Sequence, residues 1–119
     1  MLQQDFVMKQ IKSLINFIAK ILLKKENVEY ILSSEDEYSK TDFIHKELLK
    51  LLEVGKINEA ENLLFEELDT IDLKYLELAI DFYDRLNRLD DAFLEENNFS
   101  REEIEEGLRE IANRFGIII

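Results

Sequence analysis

His45 is the only histidine in the chain, and Asp42 stands one helical turn before it. The spacing Asp42-x-x-His45 puts a carboxylate and an imidazole on one helix face, the simplest start for a metal site or a general base. One such pair is too few. Metal centres in helical bundles draw ligands from several helices with a repeated Glu-x-x-His spacing, and a single histidine cannot repeat. His45 is therefore expected as a partly exposed helix residue, with no metal. Glu66 and Glu67, Asp90 and Asp91, and Glu95 and Glu96 offer further carboxylate pairs. Neighbouring acids on a helix diverge, so they are expected to decorate solvent faces. The run Glu35-Asp36-Glu37 lacks the glycine and the spaced oxygen ligands of a calcium loop. With no cysteine and serines only at position 13, in an acidic connector and at a helix start, a nucleophile–base–acid triad has no natural assembly. No catalytic residue and no cofactor or small-molecule ligand is expected, and the chain reads as a non-enzyme.

The elements that would position such groups are helices. No proline and only three glycines interrupt 119 residues, of which 46% are hydrophobic. That supply is enough to bury a core without disulfides or metals, so an all-α, single-domain bundle of about five to six helices is expected over 1–119. Residues 3–26 read as a long amphipathic helix. Val7, Ile11, Leu14, Ile15, Ile18, Ile21 and Leu22 fall on one broad face, with Phe6, Met8 and Phe17 at its margins and Leu23 as a misfit. Residues 27–40 read as an acidic connector, either mobile or pinned to the core by Tyr30, Ile31 and Leu32, and 41–116 as helical hairpins plus a C-terminal helix.

Within 41–116 the helix ends carry their own signals. A helix is expected to start near Ser39 or Thr41, where Thr41 can cap with Asp42 in its first turn, and to turn Phe43 or Ile44, Leu48, Leu51 and Leu52 inward. Gly55 stops it, and Asn58 with Glu61 is expected to cap the next. Leu76, Ala79, Ile80, Tyr83 and Leu86 keep helical register from about Asp72. Residues 72–96 form either one long helix or two, because periodicity runs on through Leu89 and Phe93. Ser100 and Glu103 make a capping box, and Gly116 closes the last helix. Gly107 lies inside that helix, where it costs about 1 kcal/mol against Ala, as a tight helix crossing or a tolerated surface glycine. The tail Ile117-Ile118-Ile119 is expected to dock on the core or across a dimer interface.

Charge separates the first helix from the rest. Lys9, Lys12, Lys20, Lys24 and Lys25 against Asp5 give the first 25 residues a net +4; since −12 − 4 = −16, the remainder carries −16. Such acidity repels phosphate backbones, which excludes nucleic acid as an expected partner. Lys12 and Lys20 break the most apolar segment, so no membrane span is expected, and the same pattern does not spell a secretory signal. A cytoplasmic location follows as the expectation, which leaves the sequon Asn98-Phe99-Ser100 as spelling only.

Two resemblances bear on this. Gly55-Lys56-Ile57-Asn58-Glu59-Ala60, followed by Leu63, Leu64 and Leu68, resembles the turn and second helix of a tetratricopeptide repeat. Asn87-Arg88-Leu89-Asp90-Asp91-Ala92 echoes it at 87 − 55 = 32 positions, close to that family's period of about 34. The likeness covers about 44–96 and departs at Glu47-Leu48, Glu67 and Asp72; it implies helical-hairpin packing. Over nearly its full length the chain also resembles a family of small, acidic, all-helical bacterial proteins of unknown function. Gln3-Gln4-Asp5-Phe6, Ile57-Asn58-Glu59-Ala60-Glu61-Asn62-Leu63-Leu64 and Asn98-Phe99-Ser100-Arg101-Glu102-Glu103-Ile104 carry that likeness, which implies a helical domain and no site.

The expected role is a protein-interaction or oligomerisation module, a homodimer or a partner to another protein. Its candidate surface is Val7, Ile11, Leu14, Ile15, Phe17, Ile18, Ile21 and Leu22. The alternatives are a peripheral membrane adaptor using the basic amphipathic helix 3–25 and, behind it, a carboxylate-based metal protein or hydrolase.

Overall fold

The computed structural model describes residues 2–24, 28–33 and 39–119. Their helices are α1 (Leu2–Ile18), α2 (Lys40–Glu53), α3 (Ile57–Glu67), α4 (Leu73–Arg88), α5 (Asp91–Glu96) and α6 (Arg101–Arg114), and no strand occurs among the described residues. The fold is an all-α bundle. Its centre is α4, which packs against α1, α2 and α6, while α2 and α3 form the closest hairpin. Leu76, Ala79, Ile80, Tyr83 and Leu86 are fully buried on α4, as their spacing predicts. Asp81, Asp84 and Asn87 are buried as well, so this helix must satisfy polar groups inside the molecule.

The first helix is shorter than its apolar pattern suggests. After Ile18 the chain makes a π-helical turn over Ala19–Leu23 and stops at Lys24, which is left-handed at φ 55° and donates its N–H to the Ala19 carbonyl. The wider turn explains the misfit: it changes the angular advance per residue, and Leu22 and Leu23 both pack on the core. Glu26, the expected end, and Glu35-Asp36-Glu37 lie outside the described residues.

Helix ends follow local chemistry in some places and tertiary contact in others. Gly55 (φ +81°) and Gly116 (φ +96°) each close a Schellman motif, with Lys56 N–H on the Leu51 carbonyl and Ile117 N–H on the Ala112 carbonyl. Ser100 and Glu103 make the expected capping box. Of the two expected starts of α2, Ser39 is the cap rather than Thr41: its hydroxyl accepts from the Asp42 N–H while its own N–H donates to the Asp42 carboxylate, and Ile44 rather than Phe43 turns inward. At α3 the expected Asn58 cap is absent: the cap position is Lys56, Asn58 donates to the Asn98 carbonyl instead, and Glu61 accepts from Tyr83.

Residues 72–96 are two helices. Leu89 is extended, Asp90 caps α5 through the Phe93 N–H, and Arg101 fixes the break from outside. Arg101 is buried, and its guanidinium donates to the carbonyls of Asn87 (2.9 Å) and Leu89 (2.7 Å) and to Asp91 Oδ1 (2.8 Å). Asn87 in turn donates to the Met8 carbonyl at 3.0 Å, which ties α1 to the same knot. The echo does not rebuild the hairpin: α5 has six residues and Ala92 is exposed, whereas Ala60 is fully buried. The sequon is spent on the next joint. Asn98 is left-handed at φ 56°, Phe99 N–H bonds the Leu94 carbonyl and Ser100 caps α6. Of the terminal isoleucines only Ile117 packs on the core; Ile118 points into solvent.

Gly107 is a crossing point. A Cβ there would overlap the Tyr83 phenol and the Glu61 carboxylate, so α6 approaches α4 only because residue 107 has no side chain.

Candidate functional site

His45 is buried rather than partly exposed, and it lies in a polar seam between α2 and α4. The short segment 28–33 covers it. Tyr30 stacks on the imidazole with ring centres 4.5 Å apart and planes 19° from parallel. Its phenol donates to Asp42 Oδ1 at 2.7 Å and lies 2.8 Å from Thr41 Oγ1. The Tyr30 amide donates to Asp81 Oδ1 at 3.1 Å, while Arg85 Nε donates to Asp81 Oδ2 at 2.7 Å. The Lys74 ammonium sits 4.6 Å over the Tyr30 ring.

The seam sets the charge states of its members. Burial raises the Tyr30 phenol, and its bond to Asp42 adds to that, so it stays a neutral donor. Burial works upward on Asp42 too, but donors from Ser39, Tyr30 and Ser33 outweigh it and hold the carboxyl well below the usual range. Burial pushes His45 down, opposed by the charge on Asp81 and reinforced by Arg85. A neutral imidazole results at pH 7.

This arrangement fixes structure more readily than it performs chemistry. His45 Nδ1 lies 3.6 Å from Asp81 Oδ2, too long for a hydrogen bond, and that oxygen is already held by Arg85. The hydroxyls of Ser39 and Thr41 bond each other at 2.8 Å. The Tyr30 ring closes one face of the imidazole. The pair Asp42 and His45 acquires Asp81 from another helix, yet no group of three His, Asp or Glu side chains among the described residues could hold a metal ion.

The expected interaction residues divide between two surfaces. Ile11, Ile15 and Ile18 are fully buried in the chain's own core, and Val7, Leu14 and Leu22 pack partly against it. A folded chain does not offer them to a partner. Phe17 and Ile21 remain outward, and Phe6 joins them at 62% exposure. The apolar surface of α1 is therefore its margin rather than the middle of its stripe. Phe6, Lys9, Gln10, Ser13 and Leu14 line an open groove of about 530 Å³ against Glu105 and Arg109 of α6.

A family of unknown function, DUF6483, matches residues 1–116. The chain belongs to that family. The DUF6483 match spans all six helices, α1 through α6, so the bundle and both surfaces fall within it. No curated protein and no solved structure matches the chain. Among the described residues, no helix of this DUF6483 chain is long and apolar enough to cross a membrane.

Arg101 is the site residue that the sequence does not reveal. Arg101 follows a capping serine and reads as an ordinary first-turn charge. Of the three connector residues that could pin it to the core, Tyr30 does so, whereas Ile31 and Leu32 face solvent.

Proposed function

We propose that this protein is a non-enzymatic interaction module that self-associates through the outer face of α1 together with α6. The observation that carries the reading is the set of exposed apolar side chains Phe6, Phe17 and Ile21, of which Phe6 also lines the α1–α6 groove. Two exposed phenylalanines on α1 and an exposed isoleucine in the turn that follows it are large apolar groups left to water, and burying them favours a partner. The partner is a second copy. Residues 2–23 carry three lysines against Asp5, whereas α6 carries five glutamates against three arginines. A twofold axis over the groove lays the basic helix of each copy along the acidic helix of the other, which satisfies both charge and apolar area.

Sedimentation equilibrium tests this reading. The expected mass rises with concentration toward twice the 14.2 kDa of the chain. Phe17→Glu is expected to weaken the association at least tenfold, and a single 14.2 kDa species at every concentration would refute it.

A second reading has one specific support: Lys9, Lys20 and Lys24 are exposed on the same segment, which suits an anionic lipid surface. Here the membrane meets Phe6, Phe17 and Ile21, not the buried face of helix 3–25. Absence of co-sedimentation with phosphatidylserine vesicles at low salt dismisses it.

A further inference from the structure

Residues 28–33 are attached in an unusual way. The hydrogen bonds described for their backbone all run to side chains: Tyr30 N–H to Asp81 (3.1 Å), Ile31 N–H to Glu77 (2.9 Å), Ser33 N–H to Asp42 (3.4 Å), and Lys74 Nζ to the Ile31 carbonyl (2.7 Å). Val28 and Tyr30 are buried, whereas Ile31 and Leu32 face solvent. Carboxylates on α2 and α4 thus hold the segment against the seam, and the Tyr30 ring lies flat on His45.

We propose that residues 28–33 form an acid-released strap, in which protonation of His45 lifts Tyr30 from the seam while the helical core stays folded. The groups facing the imidazole are Asp42 on α2, Lys74, Asp81 and Arg85 on α4, and Tyr30 on the strap. Asp81 is the nearest carboxylate, but its two oxygens already serve Arg85 and the Tyr30 amide. An imidazolium in this place is a buried cation next to Arg85 with no carboxylate of its own. Hydration relieves it, and water reaches the ring when Tyr30 leaves.

The direction follows from linkage. With the strap off, His45 is hydrated and titrates near its ordinary value of about 6.5; with the strap on, it binds its proton more weakly. The docked state is therefore fully favoured above pH about 6.5 and loses up to about tenfold in population ratio per pH unit below it, down to the docked state's own pKa. The proposal is independent of the α1–α6 face, which contains no histidine.

Hydrogen exchange followed by NMR between pH 7.5 and 5.5, corrected for intrinsic rates, tests it. Protection of the Tyr30 and Ile31 amides is expected to fall with acid, up to about tenfold per pH unit. Protection of Leu76, Ala79 and Ile80 in α4 is expected to hold. In His45→Phe, an uncharged ring under Tyr30, the strap amides should lose their pH dependence. The single imidazole also gives a direct readout that needs no substitution at His45. Its pKa is expected below 6.5 in the intact chain and nearer 6.5 in Tyr30→Ala. Strap protection that stays constant or rises with acid would overturn the proposal, since the imidazolium would then be pairing with Asp81 beneath Tyr30. An acid response that persists in His45→Phe, or an imidazole pKa unmoved by Tyr30→Ala, overturns it equally.

Discussion

Two phenol–carboxylate pairs lie at different crossings of this bundle, Tyr30 with Asp42 at 2.7 Å and Tyr83 with Glu61 at 2.6 Å. Their chemistry is the same and their charge logic is opposite. Asp42 also accepts from the Ser39 amide at 2.9 Å, the Ser39 hydroxyl at 3.1 Å and the Ser33 amide at 3.4 Å, and these donors override burial to hold it ionised. Glu61 is raised, first by burial and further by the nearby charges of Glu103 and Glu106, with Tyr83 alone working the other way. The number of donors, not the depth of burial, decides which carboxylate is comfortable as an anion. One pair anchors the polar seam; the other is wedged into the contact where α6 meets α4.

The largest expected effect comes from filling the tighter crossing. Gly107→Val drives a branched side chain into the Tyr83 phenol and the Glu61 carboxylate, and is expected to lower stability by about 3 kcal/mol in urea titration. A neutral result would mean that α6 slides freely on α4. Next, Asp42→Asn removes the charge that four donors address, at a cost of about 2 kcal/mol at pH 7. A carboxyl held below its unfolded value of about 3.9 contributes stability above that pH and loses it as pH falls through the folded value. The wild-type advantage over Asp42→Asn should therefore shrink on acidification below pH 4, and a constant gap would show that geometry rather than charge makes the difference.

Tyr83→Phe is expected to cost less, about 1 kcal/mol at pH 7, by stripping Glu61 of its donor. The cost should fall as pH drops through the raised folded value of Glu61, because the phenol favours the carboxylate over the neutral acid and loses that advantage once Glu61 is protonated. Calorimetric scans over that drop in pH read the slope directly. Glu61→Gln should have the smallest effect, within about 0.5 kcal/mol of wild type and on the stabilising side at pH 7, since a neutral amide keeps an acceptor for Tyr83 without a poorly compensated charge. A loss as large as that of Asp42→Asn would erase the contrast between the two pairs.

Legibility in the sequence tracks how local each determinant is. Gly55, Gly116 and the Ser100–Glu103 box were readable because a turn or a cap is decided within a few residues by sterics and one or two hydrogen bonds. The buried face of α4 was readable because burial repeats at the helical period. Asn58 failed as a cap because its amide and Glu61 both found partners on distant elements. Leu23 looked misplaced because a wheel of fixed step cannot anticipate a π-helical turn. His45 looked exposed because the residue that covers it lies in a segment with no periodicity.

The sequence by itself determined the helical class, the helix ends at Gly55, Ser100 and Gly116, the acidic body behind a basic first helix, and the absence of a thiol or a second histidine. Those are properties of composition and of neighbours along the chain. Only the tertiary structure decided that Ile11, Ile15 and Ile18 are spent on the core while Phe6, Phe17 and Ile21 face outward. It alone brought Asn87 to Met8 across 79 positions, seated Arg101 under the end of α4, and folded Tyr30 over His45. Each of these is a hydrogen bond or a burial between residues whose separation along the chain carries no period, so only their meeting in space reveals it.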